Sequence, residues 1–400
     1  MWKIVIFAVL LIICVVLALF FINNCAGFVI KALLRSDWSK AVLRIKQTGL
    51  LLATGIVLCI GFTAVTQWAA STPAIVKANE TTAEEGIAEL VQVELNGREE
   101  WISIRGHDIK KPVLLFLAGG PGGTQMAAVR YDLGELEKHF VVVNWDQPGS
   151  GKSYAAISRA DLTPEIYMED GYVLTQYLCR RFEQEKIFLL GESWGSALGI
   201  FLVENHPELY HAFIGTGQMV DFVETETIDY QLAMEVALNV GDENVVATLK
   251  KNGPPPYYGK DVTWKSAAYL NYLSGIMASN PQIHNAGYNT FRDLSASEYG
   301  VWDAVNFFRG IVNTYNHVYP QIYPIDLRQH YNTLKVPIYF FLGRHDVNAP
   351  VLLAQEYFDV LDAPYKEIVW FEHSGHSPWI NESDKFVSQV VRAANQSMGK

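Results

Sequence analysis

Hydrophobic positions along this chain follow three successive patterns. From Ile4 to Ile22 there are 19 consecutive apolar residues, enough for a helix rising about 1.5 Å per residue to cross a bilayer's hydrocarbon core. A second stretch, Gln47 to Val76, carries no charge and has its apolar centre at Gly49–Val65. These runs predict two transmembrane helices, at about residues 4–22 and 49–68, forming a hairpin over residues 1–70. A cleaved signal peptide is the weaker account of the first run, because only Lys3 precedes it and the apolar stretch is long. Residues 71–86 are polar and rich in Thr, Ala and Glu, and read as a linker.

Beyond the linker, short β-rich runs alternate with helical periodicity, the pattern of a wound, mostly parallel α/β sheet with helices on both faces. Val91–Leu95 and Trp101–Ile104 flank the turn dipeptide Asn96-Gly97 and predict a β-hairpin. Val113–Leu117, Phe140–Trp145, Ile187–Leu190, Ala212–Ile214, Val336–Leu342 and Glu367–Phe371 are almost wholly apolar, as strands buried on both faces should be. Helical patterns fall at Ile166–Phe182, Ser196–Asn205 and Ser383–Ala394. Residues 220–331 lack clean strands; an insertion of that length is too long for a loop and predicts a helical cap. The sheet core is accordingly expected over 87–219 and 332–400.

Charge sharpens this division. The 400 residues carry a net −11, which argues against nucleic-acid binding. Residues 1–70 hold six bases and one acid, or +5, leaving 25 bases and 41 acids, or −16, for the rest. Five of the six bases lie between the two apolar stretches. The positive-inside rule then puts that loop in the cytoplasm and predicts a multi-pass protein of the cell membrane with an extracytoplasmic domain. Of four cysteines only Cys179 lies beyond the hairpin, so the domain can form no internal disulfide, and no Cys/His spacing resembles a zinc site.

Candidate chemistry sits at the ends of the predicted strands. Gly191-Glu192-Ser193-Trp194-Gly195 is a G-x-S-x-G sequence between a strand and a helix, a sharp turn that presents Ser193 as a nucleophile. A serine needs a base, and the base an orienting acid. Gly343-Arg344-His345-Asp346 and Ser374-Gly375-His376 follow successive strands, which nominates Asp346 as the acid and His376 as the base, with His373 as a rival. The glycines of Ala118-Gly119-Gly120-Pro121-Gly122-Gly123 allow close backbone approach, and Gly120 and Trp194 N–H groups are the candidate oxyanion donors. Asp146-Gln147-Pro148-Gly149-Ser150-Gly151-Lys152-Ser153 fails as a phosphate loop because Asp146 stands where Walker A needs glycine.

Taken together these motifs resemble the α/β-hydrolase superfamily, and within it the proline iminopeptidase-like branch. The matching pieces are Gly119-Gly120-Pro121-Gly122, Asp146-Gln147-x-Gly149-Ser150-Gly151-x-Ser153, Gly191-x-Ser193-Trp194-Gly195, Gly343-Arg344-x-Asp346 and Ser374-Gly375-His376. The resemblance implies a Ser193–Asp346–His376 triad, a helical cap and no metal or cofactor. The departures are Ala118 where the family loop begins with His, Pro148 and Lys152 in place of two arginines, and Glu192 where iminopeptidases usually carry Gly. An aminopeptidase must also hold a free amine, and Glu224 and Glu226, with Asp229 and Glu235, are the cap carboxylates available. The expected function is a membrane-anchored serine hydrolase removing N-terminal residues from short peptides. A small-molecule esterase or lipase-like hydrolase and a catalytically silent binding module on the same fold remain as alternatives. Beyond a small peptide or ester and the lipid bilayer, no partner is implied, and the oligomeric state is left open.

Overall fold

The computed structural model describes residues 2–75, 85–285 and 287–399. Most of the expected linker, 76–84, lies outside the described residues. The chain divides into two compact units, one of 1–71 with 294–305 and one of 72–293 with 306–400.

In the first unit two helices, α1 (Trp2–Leu33) and α2 (Ser39–Trp68), are both long and apolar enough to cross a membrane. Both outrun the predicted 4–22 and 49–68. Ala, Leu, Lys and Arg around the apolar runs are good helix formers, so Lys31, Lys40, Arg44 and Lys46 lie in helix and only residues 34–38 connect the two. The helices pack closely where Gly55 meets Cys14: a Cβ on Gly55 would stand 2.9 Å from the Cys14 sulfur. The Cys14 and Cys59 sulfurs are 3.6 Å apart.

Segment 294–305 is held to the hairpin by polar contacts. Lys3 Nζ donates to the carbonyls of Ala296 and Tyr299, and Ser71 N–H donates to the Ser297 carbonyl. The helix Val301–Arg309 begins here, where its first amides lack intrahelical acceptors. Val301 N–H reaches Thr66 Oγ1 at 3.2 Å and Trp302 N–H reaches Gln67 Oε1 at 3.2 Å, while Gln67 Nε2 donates to Asp303 at 2.9 Å. Side chains of α2 therefore cap a helix more than two hundred residues away in sequence.

The second unit is built on an eight-stranded sheet ordered β1-β2-β4-β3-β5-β6-β7-β8. The strands are β1 (Ile87–Leu95), β2 (Arg98–Gly106), β3 (Val113–Leu117), β4 (Val141–Asp146), β5 (Ile187–Glu192), β6 (Tyr210–Thr216), β7 (Ile338–Gly343) and β8 (Lys366–Phe371). β1/β2 and β2/β4 pair antiparallel and every other pair is parallel. Asn96 and Gly97, both at positive φ, close the β1–β2 hairpin, as an Asn-Gly turn allows.

Alternation along the strands feeds two cores. Val113, Leu115 and Leu117 pack on one face with Leu174 and Leu178 of α4 (Pro164–Arg181) and Leu198 and Phe201 of α5 (Trp194–Asn205). Leu114 and Phe116 pack on the other with Val129 of α3 (Met126–Asp132) and Phe386 and Val390 of the C-terminal helix Ser383–Ser397. Between β6 and β7 come α6 (Phe222–Val240), α7 (Glu243–Asn252), α8 (Val262–Ser279) and shorter helices, with no sheet strand among the described residues of this stretch.

Candidate active site

Parallel strands carry their carboxyl ends to one edge of the sheet, where ligand-facing loops gather. The loops after β3, β5, β6, β7 and β8 supply the site. Ser193 lies between β5 and α5 with φ +54°, a conformation that a side chain adopts only under local strain. The flanking glycines make that turn possible. A Cβ on Gly191 would stand 2.2 Å from the Gly195 carbonyl oxygen, and one on Gly195 2.1 Å from that of Leu117.

Asp346 follows β7 and His376 follows β8. His376 Nδ1 lies 3.0 Å from one Asp346 carboxylate oxygen and 3.1 Å from the other. Asp346 is itself fixed, accepting from the amides of Asn348 (2.9 Å) and Ala349 (3.0 Å). Burial disfavours the His376 imidazolium. The Asp346 charge and hydrogen bond, with the Glu192 charge added, outweigh burial and raise its pKa to about 9. Gly217, after β6, sits so close that a Cβ there would be 2.8 Å from the His376 ring. The rival His373 points elsewhere: it stacks on His284 with ring centres 4.2 Å apart and its Nδ1 meets the Gln282 carbonyl.

Ser193, His376, Gly120, Trp194, Glu226 and Tyr319 are among the residues lining one cavity of about 150 Å³. Gly120 holds φ +139°, open only to glycine, and Trp194 is the first residue of α5, so its N–H has no intrahelical acceptor. Gln147 fastens these two donors' supports together. Its Nε2 donates to the Ala118 carbonyl and its Oε1 accepts from the Trp194 indole, each at 3.0 Å. The motif at 146–153, which sequence excluded as a phosphate loop and counted among the family's matching pieces without a role, thus braces the site. Asp146 accepts from the Lys152 amide at 2.8 Å and from the Thr124 hydroxyl.

The structure separates the cap carboxylates that sequence offered. Glu224, expected beside Glu226, pairs with Arg328 and is not among the residues lining the cavity. Residues two apart on a helix point nearly opposite ways, so the cavity-facing Glu226 leaves Glu224 turned outward. Asp229, one turn on from Glu226, is fully buried, and neither of its oxygens has a hydrogen-bond partner among the described residues. Burial first, and then the charges of Glu226 and Asp346, push its pKa well above the usual carboxylate range. Glu226 accepts from Ser266 (3.0 Å), Tyr319 (2.9 Å) and Tyr269, and burial raises its pKa against those hydrogen bonds.

Glu192 is the residue that sequence recorded only as a departure. It is buried, and Ser377 Oγ (2.6 Å), Trp379 Nε1 (2.7 Å), Gln125 Nε2 and the Tyr288 hydroxyl all donate to it. Gln125 in turn accepts from Gly119 N–H at 3.0 Å. One carboxylate therefore joins the nucleophile turn, the glycine loop, the loop after His376 and the 287–289 segment.

Comparison with known proteins follows this geometry. The model for the alpha/beta hydrolase fold matches residues 112–244. A probable aminopeptidase, YbaC, of Bacillus subtilis (strain 168) is 30% identical over 318 residues, covering 78% of this chain and 98% of its own. The chain belongs to the α/β-hydrolase family. Within that family, a proline iminopeptidase of Lactobacillus helveticus is 30% identical over 173 residues, 39% of this chain and 56% of its own. Among solved structures, a proline iminopeptidase-related protein from Thermus thermophilus shares the fold at a TM-score of 0.56 and 19% identity, covering 78% of this hydrolase and 98% of itself.

Proposed function

We propose that this hydrolase is a membrane-anchored serine aminopeptidase acting on short peptides through Ser193, His376 and Asp346. The observation that carries the reading is Glu226, a buried cap carboxylate in the wall of the cavity shared by Ser193 and His376. A carboxylate offers about four acceptor positions, and three hydroxyls use three of them here. One remains for the ammonium of a peptide N-terminus.

The reaction then runs in two steps. His376 takes the Ser193 proton as Oγ bonds to the carbonyl carbon, and the oxyanion lies against Gly120 and Trp194 N–H groups. His376 passes the proton to the amine nitrogen as the C–N bond breaks. Water, deprotonated by His376, next releases the amino acid and restores Ser193. Asp346 holds the ring in the tautomer this requires.

Glu226→Gln removes the charge at nearly constant shape, though its NH2 group can no longer accept from the hydroxyl that faces it. It is expected to lower kcat/KM for an aminoacyl anilide about 10²-fold, the scale of one lost charged contact, and to leave turnover of an acyl nitrophenyl ester unchanged. Equal turnover of N-acetylated and free-amine substrates by the unaltered enzyme would sink the peptidase reading in favour of an esterase.

Anchoring through α1 and α2, with the domain outside the cytoplasm, is supported by their length and by the basic residues near the 34–38 turn. Protease added to intact cells is expected to cut within the domain; full protection overturns that topology.

A further inference from the structure

A second groove, of about 400 Å³, lies against the catalytic histidine. His376 and Asn348 border both this groove and the catalytic cavity, whereas Ser193, Gly120 and Trp194 border the cavity alone. Met277 and Ala278 of α8, with Ile283, Tyr288 and Ser377, form much of the groove's lining. We propose that this groove is the leaving-group subsite, and that it selects an uncharged, apolar second residue in the peptide. The inference rests on the aminopeptidase reading for the identity of the substrate, though its geometry applies to any acyl transfer at Ser193.

The placement follows from where the atoms must be. The carbonyl carbon has to meet Ser193 with its oxygen toward Gly120 and Trp194, which puts the acyl half in the smaller cavity. The amine anchor Glu226 is in that cavity too. At about 150 Å³ against about 400 Å³ for the groove, that cavity is the smaller of the two spaces. The departing nitrogen must lie within reach of His376, which protonates it. The remainder of the peptide therefore leaves past His376, and the groove on that side is the larger space, bordered by the same imidazole.

The lining sets the chemistry. Among the described residues, its lining holds no Lys, Arg, Asp or Glu, and His376 is its one titratable group besides Tyr288. Two of its amides already donate elsewhere: Asn285 Nδ2 to the Ile380 carbonyl and Asn381 Nδ2 to the His284 carbonyl, at 2.6 and 2.9 Å, while Asn348 Oδ1, without a partner among the described residues, offers one neutral acceptor. A charged second residue would lose water and gain no carboxylate, ammonium or guanidinium of opposite charge, whereas an aliphatic or aromatic one buries apolar area against Met277, Ile283 and the Tyr288 ring.

The test is a leaving-group series on the full-length protein in detergent. kcat/KM is measured for Pro-Phe-amide, Pro-Gly-amide and Pro-Asp-amide, and in parallel for benzyl and methyl butyrate, which carry no amine. The expected result is at least a tenfold preference for Phe over Gly and for benzyl over methyl, with Asp poorest. Ala278→Asp, at an exposed position of α8, is expected to collapse the Phe-to-Gly ratio of kcat/KM toward one, with fluorophosphonate labelling of Ser193 reporting that the variant is folded. Equal rates across both series, or a variant that slows Gly and Phe alike, overturns the subsite. Cleavage of the butyrates with a benzyl preference but of none of the amides would overturn the peptidase reading and leave the subsite standing.

Discussion

Replacing Ser193 by alanine is expected to lower kcat/KM for a cleavable aminoacyl anilide by about 10⁴-fold or more, and to abolish labelling by a fluorophosphonate. The size follows from the division of labour in the site. With the nucleophile gone, water must attack a carbonyl that is still polarised by Gly120 and Trp194 N–H groups, and only that electrostatic contribution survives. The variant is a fair test because the backbone is not asked to change. Alanine carries the same Cβ at the same positive φ, and the Ser193 amide keeps its hydrogen bond to the Thr216 carbonyl at 3.0 Å. Thermal unfolding should match the parent. Residual activity within tenfold of the parent would assign the chemistry to another group.

Asp346→Asn is expected to cut kcat about 10⁴-fold and to change the pH dependence in a direction the site dictates. His376 works as a base only when neutral, so the rate at which a fluorophosphonate inactivates the free enzyme rises with pH as the imidazole deprotonates. With its pKa raised to about 9, that rise is expected on the alkaline side of the ordinary histidine range. Asparagine removes the main charge favouring the imidazolium while burial continues to oppose it, so the midpoint moves to lower pH. Glu192→Gln removes the lesser charge and keeps the Asp346 pair. Its midpoint is expected to shift the same way by a smaller amount, with most of the inactivation rate retained at high pH. A midpoint that stays fixed in both variants would show that another group titrates in this profile.

Much of the candidate site was legible because strand ends are legible. Apolar runs such as Val113–Leu117 and Ile187–Leu190 can be read as strands buried on both faces, and the motifs placed directly after them share one edge of the sheet. The cap was less readable. Helical periodicity says that Glu224 and Glu226 face different ways, but it does not say which faces the cavity. Arg328, about a hundred residues later, decides that by taking Glu224. Glu192 gave no signal of its role, because its four donors come from three separated segments, around Gln125, Tyr288 and Ser377–Trp379. Sequence also gave no hint that 294–305 groups with the hairpin. Those contacts run largely through backbone amides and carbonyls, which every sequence possesses.

The capping of helix Val301–Arg309 by Thr66 and Gln67 bears on how the protein is handled at the bench. A water-soluble fragment begun at Thr72 would strip the acceptors from two amides, the Lys3 ammonium from two carbonyls, and the Gln67 amide from Asp303. The first turn of that helix would fray into solvent. Any kinetic difference between such a fragment and the intact chain thus mixes loss of the bilayer with loss of a helix cap. Thr66→Val with Gln67→Leu in the intact chain separates the two, since it removes the cap and leaves the hairpin in the membrane.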